Sequence, residues 1–220
     1  MQEISLAYVG DDSNFGLTAP MKGYRFRLEL QQTFGRINMT SALVDARKYF
    51  YVKPVTFAFK AYHYSRLGKD ASNDLMPPLY LGYESLIRGY TYKAILNSGS
   101  EGIFNNLQGS KMVLSNFEIR FPYTGPERLA FIKSNFLFTD LNLFVDAGVT
   151  WGEFRAFDNT TGSYLDVKRK LVDSQIITSM GISTRINVFG QLIIEPYYAF
   201  PLQLNGDTRG VFGVNFTPGW

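Results

Sequence analysis

The chain has 220 residues and a formal charge of only +3, with 22 basic side chains set against 19 acidic ones. No basic block stands out, which gives nucleic-acid binding little support. Cysteine is absent, so neither a disulfide framework nor a thiolate metal site can form, and one histidine, His63, excludes a cluster of histidine ligands. Phenylalanine and tyrosine are abundant, at 19 and 14 residues, which is typical of strands or of a membrane interface.

The sequence predicts neither a transmembrane helix nor a signal peptide. No apolar run reaches the length of about 18 residues that a spanning helix needs. The first stretch, MQEISLAYVG, has no basic segment followed by an apolar one. A transmembrane β-barrel remains open, because half of its side chains face a polar lumen.

Alternation of apolar and polar residues predicts strands along most of the chain. In residues 21–32, Tyr24, Phe26, Leu28 and Leu30 are separated by charged or amide side chains, so one strand face is apolar and the other polar. Phe189-Gly190 is expected to form a tight turn, and one short helix is expected near 101–108. Further strands are predicted at 37–51, 55–66, 111–122, 139–152, 174–190, 191–202 and 210–220, with a weaker candidate at 4–10.

These segments are long for a soluble protein. Most have about 9–14 residues, whereas strands of soluble sheets average about five or six, and a tilted strand needs about 9–11 to cross a membrane. Short turns alternate with long loops at 9–20, 66–110 and 152–174, as in outer-membrane barrels. The alternative is a soluble β-sandwich or lipocalin-type barrel, in which the apolar face would point inward.

The density of charge on one face favours the membrane barrel. Buried without partners, each of these charges would cost several kcal/mol, so the barrel lumen is expected to be wet or filled by a polar loop. The charged face is predicted to carry Arg25, Arg27, Glu29, Lys60, Glu118, Arg120, Asp146, Arg185 and Glu195.

A segment rich in glycine and asparagine, residues 68–110, interrupts the strand pattern and contains SLIRGYTY at 85–92. The order PLYLGYESLIRGYTY, SNFEIRFP, LFVDAGVTWG and a final strand ending on an aromatic residue resembles the C-terminal half of the barrel in the BamA-type superfamily, also called the bacterial surface antigen family. The resemblance runs from about Pro20 to Trp220. That superfamily includes outer-membrane protein insertases, two-partner-secretion transporters and barrels fused to patatin lipases.

The resemblance implies that the loop at 66–110 folds back into the lumen and plugs it. Its arginine, Arg88, would contact acidic residues on the inner wall at Glu118 and Asp146, which strand phasing alone also places on the charged face. A planar guanidinium suits a fixed loop position because it binds carboxylates through two parallel hydrogen bonds. The tip of the plug loop would consist of Ile87, Arg88, Gly89 and Tyr90.

The last strand is the second feature that the resemblance marks. Phe212, Val214 and Phe216 share one face, and Trp220 resembles the terminal aromatic residue that barrel-assembly machinery recognises. An aromatic residue that only anchors the strand at the membrane interface is the alternative for Trp220.

The expected fold class is all-β: an antiparallel transmembrane β-barrel in which residues 1–220 form one barrel domain or a C-terminal barrel fragment. The chain supplies about eight or nine strands, against about sixteen in the family barrel. A partial barrel leaves open edges that lipid cannot satisfy, so the missing strands are expected from upstream sequence or from another chain.

The functional expectation is a non-enzymatic barrel in the outer membrane of a Gram-negative bacterium. It would act in insertion or translocation of proteins, with membrane lipid and client proteins as its partners. A barrel that anchors an upstream enzyme, such as a patatin-like lipase, is the first alternative, and a soluble barrel that binds an apolar ligand is the second.

No cofactor, metal site or catalytic residue is expected. The chain has no G-x-S-x-G nucleophile motif. Asp158, Asp166 and Asp173 lack the alternate spacing of a calcium loop. His63 lies on the apolar face of its strand, where an interfacial histidine is favoured over a general base.

Overall fold

The computed structural model describes residues 1–72, 75–158, 163–204 and 210–218. Two short helices, α1 (Tyr92–Asn97) and α2 (Glu101–Asn106), and a 3-10 helix at Leu171–Asp173 accompany the strands. The strands are β1 (Gln2–Phe15), β2 (Pro20–Phe34), β3 (Met39–Val52), β4 (Val55–Leu67), β5 (Leu79–Tyr80), β6 (Gln108–Gly109), β7 (Lys111–Gly125), β8 (Ile132–Lys133), β9 (Phe138–Asp158), β10 (Ser163–Arg169), β11 (Ile177–Val188), β12 (Leu192–Pro201) and β13 (Val211–Pro218).

Nine long strands of the described residues form one antiparallel sheet in the order β1-β2-β3-β4-β7-β9-β11-β12-β13. Each long strand pairs with the next long strand along the chain, as in an up-and-down barrel wall. The small strand β8 pairs with β7, β10 pairs with β9, and β5 pairs with β6 in a separate two-stranded sheet. The predicted all-β antiparallel fold is confirmed, and its form is that of part of a β-barrel.

Burial along β9 is inverted relative to a soluble sheet. Leu141, Leu143 and Val145 are 41, 44 and 46% exposed, while Asn142 and Asp146, at alternate positions of the same strand, are fully buried. The apolar face of the strand therefore points outward, and the polar face is the one that the rest of the chain covers. We call the covered face the concave face and the apolar one the outer face.

The outer face has the dimensions of a membrane-facing band. From Leu141 to Trp151 its residues on β9 extend over about 34 Å at about 3.4 Å per residue. A strand tilt of about 40° reduces this length to a height of about 26 Å, close to the apolar band of outer-membrane barrels. Elsewhere on the outer face, the Lys48 ammonium of β3 lies 5.3 Å from the centre of the Tyr24 ring of β2 and 5.6 Å from that of Phe50. A lysine laid along aromatic rings is typical of a membrane interface.

Two predicted long loops are partly wrong. The strand that was predicted more weakly at 4–10 is present as β1, and it is longer than expected because it continues to Phe15. Only residues 16–19 therefore connect β1 to β2. Residues 152–174 contain the end of β9 and all of β10, which pair as a hairpin. Ion pairs between Arg155 and Asp166 and between Lys168 and Glu153 cross this hairpin. The hairpin has an apolar face, in which Phe154 pairs with Val167 and Ala156 with Leu165, but the alternation on each strand is too short to stand out in the sequence.

Three smaller features concern turns and helices. The tight turn at Phe189-Gly190 is confirmed, with φ of 52° and 75° at its two residues. The helix predicted near 101–108 is present as α2, whereas α1 was missed; its cap is Thr91, whose side chain accepts a hydrogen bond from the Ala94 amide. Among the described residues no helix is long and apolar enough to cross a membrane.

The two ends of the concave face are covered by different connections. At one end lies the segment 68–110 between β4 and β7, which holds both helices. At the other end the β1–β2 turn folds inward: the Thr18 hydroxyl donates to Asp140 on β9, and the Asn187 amide donates to the Leu17 carbonyl at 3.0 Å. The sheet is therefore curved enough for its first turn to reach β9 and β11.

We expect Val145→Arg to lower the free energy of unfolding in lipid vesicles by about 2–4 kcal/mol, because an arginine on the lipid face must be dehydrated. The matched control is Val172→Arg, since Val172 is an equally apolar residue in the 3-10 helix and is 87% exposed. Urea titration of both variants in vesicles measures the difference. Equal, small effects of the two substitutions would mean that the outer face meets water.

Candidate functional site

The segment 68–110 packs against the concave face through its own apolar side chains. Leu81, Ile87 and Tyr90 are fully buried, and they share a cluster with Leu114 of β7 and Ile177 of β11. This apolar contact excludes water from one end of the concave face. It also fixes the backbone on both sides of Arg88, which lies between Ile87 and Gly89.

Arg88 binds Asp146 of β9 through two parallel hydrogen bonds. Its Nε donates to Oδ2 of Asp146 at 2.8 Å and its Nη2 donates to Oδ1 at 2.7 Å. The Arg88 backbone amide adds a third hydrogen bond to Oδ2 at 3.1 Å. Arg88 is 5% exposed and Asp146 is fully buried, so the pair is both well oriented and shielded from solvent.

Two further carboxylates and one aromatic ring complete the surroundings of Arg88. Its Nη1 donates to Glu118 of β7 at 3.0 Å and to Glu195 of β12 at 3.1 Å. Its guanidinium carbon lies 3.6 Å from the centre of the Phe144 ring, a cation–π contact. Burial alone would lower the pKa of Arg88, but the nearby carboxylates outweigh it and raise that pKa. The guanidinium therefore stays charged.

Two wall arginines balance the remaining carboxylate charge. Glu118 accepts from Arg120 at 2.8 Å and from Arg185 at 2.9 Å, and Arg185 also pairs with Glu195 at 3.3 Å. Three guanidinium groups thus meet three carboxylates. This balance makes the burial of the six charged side chains tolerable, because unpaired buried charges cost several kcal/mol each.

Two glycines let the loop approach the wall this closely. Gly89 has φ of 94°, and a Cβ atom there would lie 2.9 Å from Cβ of Ala199. On β9 a Cβ atom at Gly148 would lie 2.8 Å from Cδ1 of Ile87. Beyond Gly89, the Tyr90 hydroxyl donates to the Thr178 carbonyl at 2.8 Å. Burial raises the pKa of Tyr90 to about 12, so its hydroxyl keeps this proton at neutral pH.

A family model described as the Omp85 superfamily domain matches residues 2–219. The chain belongs to the Omp85 superfamily. The resemblance inferred from the sequence is therefore confirmed, and the antiparallel sheet belongs to a family of outer-membrane β-barrels. No match was found among curated proteins.

In this Omp85 chain the predicted loop and wall residues lie together. The structure places Arg88 against both Glu118 and Asp146, while Ile87 and Tyr90 anchor the loop on either side. The functional role given to these residues stays a prediction. Residues that sequence reasoning did not assign to the site are Glu195, Phe144, Arg120, Arg185 and Gly148.

The C-terminal strand lies apart from the Arg88 network. Phe212 and Phe216 are exposed on the outer face of β13, and Val214 between them in the alternation is half-buried. Trp220, the predicted assembly signal, lies outside the described residues. The role of this strand is likewise still a prediction.

Other polar residues of the Omp85 chain have structural partners. His63 stacks on Trp151 at 6.0 Å between ring centres, on the outer face. Asp166 pairs with Arg155 at 2.7 Å. The Asp158 side chain lies outside the described part of the chain. Within the described ranges no three metal-ligating side chains cluster together.

We expect Arg88→Gln to lower the free energy of unfolding by about 3–5 kcal/mol, because it leaves three buried carboxylates short of a cation. Arg88→Lys should have an intermediate effect, since it keeps the charge but loses the two parallel bonds to Asp146. The control is Arg155→Gln in the exposed pair with Asp166, where a loss below about 1 kcal/mol is expected. Chemical unfolding of the three variants tests this, and equal losses at both arginines would contradict it.

We expect Gly89→Ala to destabilise the loop more than Gly99→Ala. Both glycines have positive φ, 94° and 62°, but a Cβ atom at Gly99 would meet no atom within 4 Å. Backbone strain should therefore cost about 1–2 kcal/mol at either position, with the clash against Ala199 added at Gly89 only. Limited proteolysis of the loop measures the difference. Equal cleavage of the two variants would show that Gly89 is not in close contact with the wall.

Proposed function

We propose that this chain is a non-catalytic part of an outer-membrane β-barrel that acts in insertion or translocation of proteins across the outer membrane of a Gram-negative bacterium. The Arg88 loop is proposed to plug the lumen. The observation that carries the proposal is the buried network in which Arg88 joins the loop to three wall strands, through Asp146 of β9, Glu118 of β7 and Glu195 of β12.

The network supports a plug because it resists displacement of the loop. Moving Arg88 away from the wall would leave Glu118, Asp146 and Glu195 with less cation charge than they need, inside a site shielded from water. Removing one partner of a buried ion pair typically costs about 3–5 kcal/mol. A loop held by two parallel bonds and an aromatic contact therefore stays in place unless another group replaces it.

The same contacts argue against catalysis by the carboxylates. A general acid or base must be available to a substrate atom at hydrogen-bond distance. Both Glu118 oxygens are engaged by arginine, and both Asp146 oxygens bind Arg88. A structural ion-pair network is therefore a better interpretation than a paired-carboxylate hydrolase.

The exposed apolar outer face supports lipid as one partner and disfavours the soluble barrel. Binding of an apolar ligand inside a soluble barrel would require apolar side chains on the covered face, where β9 instead carries Asn142 and Asp146. β1 and β13 are the two edge strands of the sheet, and the outer edge of each has no strand partner among the described residues. We propose that further strands, from upstream sequence or another chain, pair with them.

A reciprocal charge exchange in the natural full-length protein tests the proposal. We expect Arg88→Glu and Asp146→Arg each to lower the amounts of outer-membrane and exported proteins, and the double variant to restore part of the loss. Asp146 is a better partner than Glu118, because Glu118 also binds Arg120 and Arg185, so its reversal would bring several arginines together. Quantitative proteomics gives the amounts, and heat-modifiable migration reports folding.

Deletion of the whole gene provides the reference for these variants. Unchanged amounts of outer-membrane and exported proteins after deletion would refute a role in insertion or translocation. If membrane-associated lipase activity fell instead, the barrel would be an anchor for an enzyme. Normal behaviour of all three charge variants would refute the plug.

A further inference from the structure

Three basic residues lie directly opposite one another on adjacent strands of the concave face. Arg25 of β2 is paired in register with Arg47 of β3, and Arg47 is paired with Lys60 of β4. Like charges in directly opposite positions destabilise a sheet. A row of three therefore requires compensation from other groups. We call Arg25, Arg47 and Lys60 the basic row.

The compensation within the described residues is incomplete. Arg25 pairs with Asp11 at 2.8 Å, and Arg47 binds Asp45 at 2.7 and 2.9 Å. Lys60 donates to no acceptor in the described part of the chain; its ammonium lies 5.6 Å from the centre of the Tyr62 ring. The row thus contains one half-buried cation, Lys60, that contacts an aromatic ring and forms no described ion pair.

The row of paired residues that contains Arg25, Arg47 and Lys60 continues across the next strands to the carboxylates around Arg88. We call those carboxylates the acidic half of this level of the wall. In register, Lys60 is followed by Asn116 of β7 and then by Asp146 of β9. Arg88 of the loop neutralises the acidic half, as described above. Glu84 of the loop lines the same cavity as the basic row, but among the described residues Lys60 forms no ion pair. The acidic half of this level is therefore fully ion-paired, whereas in the basic half Lys60 has no hydrogen-bond acceptor among the described residues.

A cavity of about 380 Å³ lies in front of the basic row. The loop bounds it at Ser85 and Leu86, and the β1–β2 turn bounds it at Thr18 and Ala19. Its lining carries six basic side chains and four acidic ones, including the ion pairs described above. The volume lies within the range of small-molecule sites, about 300–1,000 Å³, and is too small for a folded partner.

We propose that the basic row binds a small multivalent oxyanion, a phosphate ester or a di- or tricarboxylate, with Lys60 and Arg47 as its main ligands and Arg25 at the rim. Arginine and lysine together suit such groups, because a guanidinium binds two oxygens and an ammonium adds a point charge. The source is a free anion and not a lipid headgroup, since the sheet separates the basic row from the outer face. This inference goes beyond the proposed function and does not depend on it.

Thermal unfolding of the natural full-length protein in detergent tests the site, with inorganic pyrophosphate as the probe and sodium chloride at matched ionic strength as the reference. We expect a saturable rise in Tm of about 2–4 °C, because a ligand that binds only the folded state stabilises it. Lys60→Gln should weaken the affinity for pyrophosphate at least about fivefold. The control Lys133→Gln removes an exposed lysine that pairs with Glu127, and it should bind like the parent.

A second variant separates binding from folding. Asp45→Asn removes the carboxylate that competes for Arg47, so it should tighten pyrophosphate binding, which a merely destabilising substitution would not do. Isothermal titration calorimetry measures this affinity directly. It also gives the affinity of Lys60→Gln if that variant has a lowered Tm.

Three results would overturn the proposal: no saturable effect of pyrophosphate, equal affinities in Lys60→Gln and the parent, or weaker binding by Asp45→Asn. If short-chain phosphatidic acid stabilised the protein and pyrophosphate did not, the ligand would be a lipid headgroup and not a free anion. Phosphatidylcholine of the same chain length is the control for that arm.

Discussion

The pairing of the Arg88 guanidinium with the Asp146 carboxylate is the contact on which the concave face depends. It brings a loop of more than forty residues against the wall at one defined point, because two parallel hydrogen bonds and a backbone amide fix both distance and orientation. The other contacts of the site are arranged around it. Phe144, two residues before Asp146, supports the guanidinium plane from the same face of β9, and Gly148, two residues after, leaves room for Ile87. The alternation of a single strand therefore supplies the aromatic contact, the charge and the space in successive inward positions.

That alternation also links the site to the membrane. Because successive residues of a strand face opposite sides, β9 can present Leu143 and Val145 outward only by presenting Phe144 and Asp146 inward. The charged interior and the apolar exterior are thus one property of the sequence. An apolar interior would remove the need for a balanced ion network, but it would also remove the means of holding the loop in a fixed orientation. Buried ion pairs contribute little net stability and are better suited to fixing geometry, which agrees with a segment that must be positioned with respect to a wall.

Strand phase was the part of the site that the sequence could predict. Glu118, Asp146 and Glu195 fall on one face by counting residues, and the resemblance to a known family assigned two of them to Arg88. Glu195 was on the predicted face but was not assigned to Arg88, because strand phase gives the side of a sheet and not the curvature that brings β12 towards the loop. Contacts across the sheet could not be predicted for the same reason: the Arg120 guanidinium donates to the carbonyl of Pro20, one hundred positions earlier. The β9–β10 hairpin was missed on different grounds. Phe154, Ala156, Leu165 and Val167 share one face of it, but the consecutive apolar pairs Ala156-Phe157 and Tyr164-Leu165 interrupt the alternation in the sequence.

The contact between Arg120 and Pro20 has a consequence for how the two covered ends of the concave face are related. Arg88 donates to Oε1 of Glu118 and Arg120 donates to Oε2 of the same carboxylate. Arg120 also donates at 3.0 Å to the carbonyl of Pro20, the residue that directly follows the β1–β2 turn. Glu118 is therefore shared between the loop at one end and the turn at the other. Asp146 has no such link in the described residues, because the hydrogen bonds of its side chain are with Arg88 and Asn116. Loss of Asp146 would release the loop alone, whereas loss of Glu118 would leave the cations of both ends short of the same carboxylate. The two acidic positions that the sequence treats as equivalent thus differ physically, since one orients the loop and the other joins it to the opposite end of the wall.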